Sequence, residues 1–463
     1  MPSQGFQLTP EQIAKREARR AKKALEEQQK KEITAIPTAD NPNARVLDRP
    51  WISCSPQPPR SYTMKVSTWN LLAQCLVRRK LFPTSECLKA REREAMTLNE
   101  LLMHGQDIMC LQEVDRLEKL VPALENASYG HHYVAGPRKL HGCMIAYRND
   151  RFKIVANEMM EYDNETVRET GEHGISFKTR NIANIVALED IQHSGKGVIV
   201  ATTHLFWHPQ YFYERTRQTG LLKRRVLQFR DTHGLNAWPC ILAGGMNSVP
   251  QILFTNLAAD FNFSPHDPGY ALLVGGTITH EYDQLLVDSS VVHTSAERNL
   301  ATAPGEATET EDEEEGEDGG EGDTDRVIVN ARPAKPSDGL LNSAELQHLY
   351  THSGSPLQSA YDSGIRAFLS GNKGTPIAIF GDRVKWPTTQ SGACEPQYTS
   401  YTHFWKTTLD YIFTLPPKDV TTQPTIIGLV APAWAKDMDP GLPQTGACGS
   451  DHTSLCAEFV FPE

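Results

Sequence analysis

The sequence predicts a layered α/β domain. Three observations point there: short apolar runs rich in β-formers recur along the chain, helical stretches stand between them, and most of the apolar runs end in a polar residue. MKVSTWNLLA (64–73) reads as a strand running into a loop. LKAREREAMTLNELLMH (88–104) reads as an amphipathic helix with Leu98, Leu101 and Leu102 on its apolar side. DIMCLQEVD (107–115) reads as a short buried strand that ends in acid, and GCMIAYR (142–148) and GVIVATTHLFW (197–207) as strands of the same kind. YFYERTRQTGLLKRRVLQFR (211–230) is the helix that follows. PCILAG (239–244), TLDYIFTL (408–415) and LCAEFVF (455–461) complete the series of strands.

Composition narrows the class. Of 463 residues, 39% are hydrophobic, enough for one large core or two ordinary ones. No run approaches the roughly 20 apolar residues of a membrane span, and the N-terminal residues lack the apolar core of a secretory signal. The expectation is therefore a protein without a membrane segment. Nine cysteines are scattered singly, with no CxxC pair. That pattern argues against zinc and against a disulfide framework, and it fits the cytoplasm, the nucleus or both. The net charge of −11 is misleading. Residues 306–325 hold twelve Asp and Glu and no Lys or Arg, and removing them leaves +1, so the remainder is free to build a local basic groove.

Residues 1–60 read as a charged tail and linker. EQIAKREARRAKKALEEQQKKE (11–32) has good helix formers but almost no apolar stripe, and Pro37, Pro42, Pro50 and Pro56 follow in polar text. Residues 61–463 then form one catalytic domain, interrupted by an acidic, Gly- and Pro-rich insert at 303–340 that reads as disordered.

The strand ends carry the chemistry. Asn70, Glu113, His204, Asp410, Asp451 and His452 stand there, together with either Asp260 and Asn262 or Gly245 and Asn247. Carboxylates and amides suit a hard, oxygen-loving ion such as Mg²⁺, which takes one or two protein carboxylates and keeps waters. Two histidines beside it suit protonating or stabilising a phosphoryl oxygen.

Six stretches, STWNLLAQ (67–74), CLQEVD (110–115), TTHLFWHPQY (202–211), ADFNFSP (259–265), TTLDYIF (407–413) and GSDHTSL (449–455), together resemble the endonuclease/exonuclease/phosphatase superfamily of DNase I-like fold, in its order. The WNLLA opening, the H-x-x-W-x-P text and T-x-DYIF are similar to the carbon-catabolite-repressor-type deadenylases, nocturnin and Angel proteins, and most of all to fungal RNA exonucleases. The resemblance implies a four-layered α/β sandwich: two packed mixed sheets flanked by helices, with the site between them. It implies Glu113 as the principal metal ligand with Asn70 nearby, and Asp451 at the metal. It also implies Asp260 orienting or deprotonating the attacking water with Asn262 fixing it, His452 on the scissile phosphate held by Asp410, and His204 stabilising the developing charge. One or two Mg²⁺ ions, with Mn²⁺ as a substitute, are implied as cofactor. Trp405 matches an aromatic that stacks on a substrate base in the deadenylases. Lys139 is a candidate phosphate contact, as are Arg78, Arg79 and Lys80; Trp207 is a further substrate-binding candidate, with packing as the competing role.

One motif is split. The family writes an apolar strand followed at once by G-D-x-N and a Pro-containing loop. Here PCILAG matches the strand, and DFNFSPHDPGYALLVG (260–275) matches the loop and next helix better than MNSVPQILFTN does. Residues 245–259 therefore read as an anomalous insertion. Deleting them restores ILAGDFNFSP in frame, which suggests a retained intron; a genuine surface insertion is the plainer alternative. In the harsher reading Gly245 replaces the catalytic Asp, leaving an RNA-binding protein with an impaired site. The favoured expectation is a Mg²⁺-dependent 3′→5′ exoribonuclease, releasing nucleoside 5′-monophosphates from single-stranded RNA 3′ ends such as poly(A) or ribosomal RNA precursors. A phosphatase of phosphorylated dinucleotides is the alternative. A monomer with no leucine-rich-repeat docking module is expected.

Overall fold

The computed structural model describes residues 41–56, 62–245, 263–300 and 330–461. The basic N-terminal stretch, the acidic run, residues 246–259, and Asp260 and Asn262 lie outside the described residues. Numbered in chain order, the strands of the two large sheets begin with β1 (Trp51–Ser53), β2 (Thr63–Asn70), β3 (Ile108–Val114), β4 (Tyr129–Ala135), β5 (Gly142–Arg148), β6 (Phe152–Glu161) and β7 (Ile182–Asp190). They continue with β8 (Gly197–His204), β9 (Cys240–Gly245), β10 (Gln358–Ser359), β11 (Asp410–Leu415), β12 (Thr425–Val430) and β13 (Leu455–Val460). The first sheet runs β1-β12-β13-β2-β3-β5-β4, and the second β10-β11-β9-β8-β7-β6. Each sheet has one parallel pair, β2 with β3 and β8 with β9; the other neighbours are antiparallel.

Four layers result. Between the sheets, Val66, Ile108, Cys110 and Ile145 of the first pack on Val186, Val200, Ile241 and Ile412 of the second. Outside the first sheet lie the helices Ala90–Leu102 and Leu117–Asn126, whose Leu98, Leu101, Leu120 and Leu124 cover Met109, Leu111 and Met144. Outside the second lies the long helix Phe212–Thr232, with Leu221, Val226 and Phe229 against Ile185, Ile199 and Leu242. Strand β3 shows why its text is apolar without alternation: Ile108 and Cys110 face one core, Met109 and Leu111 the other, and all seven residues are buried. The architecture is the expected four-layered α/β sandwich.

Two boundaries differ from expectation. Residues 41–56, read as linker, are part of the domain: β1 pairs with β12, and buried Arg49 donates to the Ser454 carbonyl at 2.7 Å and to Glu100. A three-residue edge strand between prolines carries too little pattern to be seen in advance. Residues 330–340, read as the end of a disordered insert, are also folded. Ala331–Pro333 pairs with Val291–His293, and Arg332 bridges Asp338 through two nitrogens. Strand β6 escaped the pattern because it is an edge strand with every second residue from Lys153 to Met159 exposed, and its short apolar runs are broken by Lys153, Asn157 and Glu158.

Candidate active site

The parallel pairs aim four strand ends the same way. Asn70 closes β2, Glu113 stands one residue before the end of β3, His204 closes β8 and Gly245 closes β9. Antiparallel β11 begins at that end with Asp410, in register with Gly245, while Gly245 is also in register with His204. The segment entering β13 supplies Asp451 and His452, and Ser400 bridges His452 while Tyr401 N–H donates to the Asp451 carbonyl at 3.0 Å. Sequence-distant residues thus meet at one end of the sandwich.

Glu113 is placed by its backbone. The β3–β5 register shifts between Leu111 and Val114, and Glu113 has φ of 54°, a left-handed conformation uncommon for a residue with a side chain. Such strain persists where surrounding bonds over-determine it. Here Asn70 Nδ2 donates to Oε1 at 2.7 Å and the Ala73 amide to Oε2 at 3.0 Å, while His204 Nε2 lies 3.7 Å from Oε1. Asn70 is itself fixed, its Oδ1 accepting the Leu72 amide at 2.9 Å and its carbonyl the Ser450 hydroxyl at 2.6 Å. Ser450 also donates to Asp451 at 3.3 Å.

The second cluster is an imidazole held by a carboxylate. His452 Nδ1 lies 2.7 Å from Asp410 Oδ2, and both residues are almost fully buried. Burial works against the imidazolium, but Asp410 and Asp451, with a smaller contribution from Glu113, overcome it and raise His452 to about 9. Asp451 is raised to about 6, chiefly by burial, with the Glu113 charge adding to the rise. Asp410 Oδ1 is buried and has no hydrogen-bond partner among the described residues. Thr399 Oγ1 accepts the Leu409 and Asp410 amides, and Trp69 Nε1 donates to the His452 carbonyl at 2.7 Å, so both backbones are pinned.

Among the described residues, no group of three or more His, Cys, Asp and Glu is gathered to hold a metal. The described donors are two neighbouring carboxylates, Glu113 and Asp451, and the Asn70 amide. That set fits a hard divalent ion that keeps most of its waters, and it also explains what a cation relieves: two buried like charges that raise one another's cost.

Other predicted residues fall into three groups. Asp260 and Asn262 lie outside the described residues. Lys139 and Trp207 are half-buried on loops leaving β4 and β8. The loop of Lys139 carries His141, whose ring centroid is 6.0 Å from that of His204. Trp405, expected to stack on a base, is instead 5% exposed: its indole packs with Leu72 and Phe82 and donates to Ser400 Oγ at 3.0 Å. The aromatic on the open side of that turn is its neighbour Phe404, 42% exposed.

Sequence reading missed Arg93. Its guanidinium, on the helix Ala90–Leu102, donates to the carbonyls of Leu71, Leu72 and Gly449, tying the loop after Asn70 to the loop before Asp451. The signal was present as a polar stripe, Arg93, Thr97 and Glu100, on a face that is buried. It also missed Arg180, exposed and left-handed at φ of 54°, whose carbonyl lies where a Gly136 Cβ would stand (2.4 Å), so the loops carrying Lys139 and Arg180 touch.

The Endonuclease/Exonuclease/phosphatase family model matches residues 67–452. The chain is 26% identical to the probable RNA exonuclease C9B6.11c of Schizosaccharomyces pombe, covering 97% of this chain and 88% of that one. It is likewise 26% identical to the RNA exonuclease NGL2 of Saccharomyces cerevisiae, covering 98% and 89%. The crystal structure of ANGEL2, a 2′,3′-cyclic phosphatase, superposes with a TM-score of 0.53 at 18% identity, over 89% of this chain and 98% of that one, which shows the shared fold. The chain belongs to the Endonuclease/Exonuclease/phosphatase family.

Proposed function

We propose that this member of the family is a divalent-metal-dependent 3′→5′ exoribonuclease acting on single-stranded RNA 3′ ends, poly(A) or ribosomal RNA precursors among them. One observation carries the reading: Asn70, Glu113, His204, the Asp410–His452 pair and Asp451 converge at one end of two facing sheets. They do so in a chain whose curated relatives, aligned over nearly its full length, are named RNA exonucleases.

The ion we propose is Mg²⁺, one or two per site, with Mn²⁺ as substitute; when bound it supplies charge neutralisation at the phosphate and a more acidic water. Glu113 and Asp451, with Asn70, would hold it. The chain's own residues do the rest. Asp410 accepts the Nδ1–H of His452 and orients the ring, leaving Nε2–H to donate to a phosphoryl oxygen, and the Asp410 and Asp451 charges favour the protonated ring. His204, beside Glu113, stabilises the charge that develops as the phosphate becomes pentacoordinate.

For the water-activating carboxylate we propose Asp260, with Asn262 beside it. Two observations support this. Gly245, in register with both His204 and Asp410, has no side chain to offer. Phe263 rejoins the fold at the same place: its ring is buried and its carbonyl accepts the Tyr411 hydroxyl at 2.7 Å. At the rim, Phe404 offers an exposed face for a base, and Lys139 with Arg180 offers charge to the strand's phosphates. We propose a monomer in the cytoplasm or nucleus, a setting consistent with nine cysteines that form no disulfide with one another.

Product analysis tests the reading. Oligoadenylate with a free 3′-hydroxyl, incubated with the full chain and Mg²⁺, is expected to give 5′-AMP one residue at a time. Release of inorganic phosphate from a phosphorylated dinucleotide, with RNA left intact, would replace this function with the phosphatase.

A further inference from the structure

A cavity of about 370 Å³ lies at the end of the second sheet opposite the catalytic residues. Its walls are the helix Phe212–Thr232, the turn after the helix Ser343–His352, and Pro416 and Pro417 leaving β11. Five residues of β11 separate Asp410 from that wall, about 17 Å at strand rise. Three cations line it, Arg224, Arg230 and Lys418, with His352, against one carboxylate, Asp231, already 3.0 Å from Lys418.

The cations are under-used by the protein. Arg230 is 7% exposed; it donates from Nη1 to the Pro416 carbonyl at 3.2 Å and has no carboxylate partner among the described residues. Arg224 donates to the Thr166 carbonyl and lies 3.8 Å from Glu165. The Nε of each guanidinium is buried without a hydrogen-bond partner among the described residues. One wall further in, Lys223 is 2% exposed, and among the described residues its ammonium donates only to the Tyr350 and Gly354 carbonyls, at 2.8 and 3.1 Å. Burial lowers its pKa to about 8. Lys223 and Arg230, seven residues apart, share one helix face. Buried cations with no anion beside them are costly, and a planar fork with spare donors is shaped for phosphate.

We infer that this cavity binds a phosphate group, at a site separate from the catalytic end, with Arg230 at its base and Arg224 and Lys418 at its rim. The phosphate comes either from a free ester, a nucleoside 5′-monophosphate, or from the backbone of an RNA strand.

Calorimetric titration of the full chain with inorganic phosphate tests this. EDTA is present, so that Glu113 and Asp451 repel anions from the catalytic end. Saturable binding is expected, weakened at least about tenfold in Arg230→Gln and in the rim variant Arg224→Gln/Lys418→Glu. In the rim variant Lys418 is exposed and Arg224 only partly buried, so it is expected to stay folded, as its melting curve will show, and it decides the question if Arg230→Gln fails to fold. Absence of saturable binding, or wild-type affinity in the rim variant, overturns the inference. Competition by 5′-AMP alone identifies the free ester as the source; competition by an oligonucleotide without a terminal phosphate identifies the strand.

Discussion

Arg93 never faces the scissile phosphate, yet its removal is expected to cost both stability and rate. The residue is 2% exposed. Nη1 donates to the Leu71 carbonyl at 3.1 Å and the Gly449 carbonyl at 2.7 Å, and Nη2 to the Leu72 carbonyl at 2.9 Å. Arg93→Met keeps the apolar stem and strands three buried acceptors. Bonds to a charged group contribute about 1.5–3 kcal/mol each, and three on one side chain are not additive, so a loss of about 3–5 kcal/mol is expected. Arg93→Lys recovers little, because an ammonium cannot fork across three carbonyls. Denaturant unfolding should show a lower midpoint with an unchanged slope. The freed loops are the one that follows Asn70 and the one that precedes Asp451, and a displacement of about 1 Å costs on the order of a hundredfold in rate. A loss under about 1 kcal/mol, or wild-type kcat in a destabilised Arg93→Met, would refute the positioning argument.

Asp410→Asn leaves His452 without its anionic partner, and kcat is expected to fall by about 10²–10⁴ with KM little changed; steady-state kinetics on oligoadenylate checks it. Trp405→Ala should destabilise by about 3–5 kcal/mol as a buried indole, whereas Phe404→Ala should leave the melting temperature unchanged and raise KM for RNA. Glu395 tests a pH dependence remote from the catalytic cluster. It is fully buried, its Oε1 accepts the Tyr270 hydroxyl at 2.7 Å, and burial with the nearby Asp362 charge raises its pKa to about 8. The unfolded chain loses this proton above about 4.5 while the native chain keeps it, so stability falls as pH rises from about 4.5 to 8. Glu395→Gln removes the penalty and should raise stability at pH 7 by up to about 3 kcal/mol, a gain that fades toward pH 5; melting curves at the two pH values read it.

Legibility followed burial and periodicity. β3 was readable because both its faces are buried, leaving a run of apolar residues with acid at its end. The helix Phe212–Thr232 was readable from its length, although its first turns bury Glu214, Arg215 and Arg217 in ion pairs that no pattern rule anticipates. The polar residues Asn70, Glu113, His204, Asp410 and His452 were legible because each sits at or beside a strand end, where a polar residue has no packing reason to follow an apolar run. Arg93 was hidden inside a helix that already satisfied its amphipathic reading, and its three acceptors lie 21 to 356 residues away in sequence. Trp405 shows the reverse error. A motif position located the residue but not its exposure, which depends on Leu72 and Phe82 closing over it.

The most direct test is the single-turnover rate of oligoadenylate shortening in Mg²⁺, measured for the wild-type chain, Glu113→Ala and Asp260→Ala. The account predicts stepwise 5′-AMP release by the wild type, abolished by EDTA, with both variants slower by at least about a hundredfold. Full activity in Asp260→Ala, or shortening that survives without a divalent ion, would contradict it.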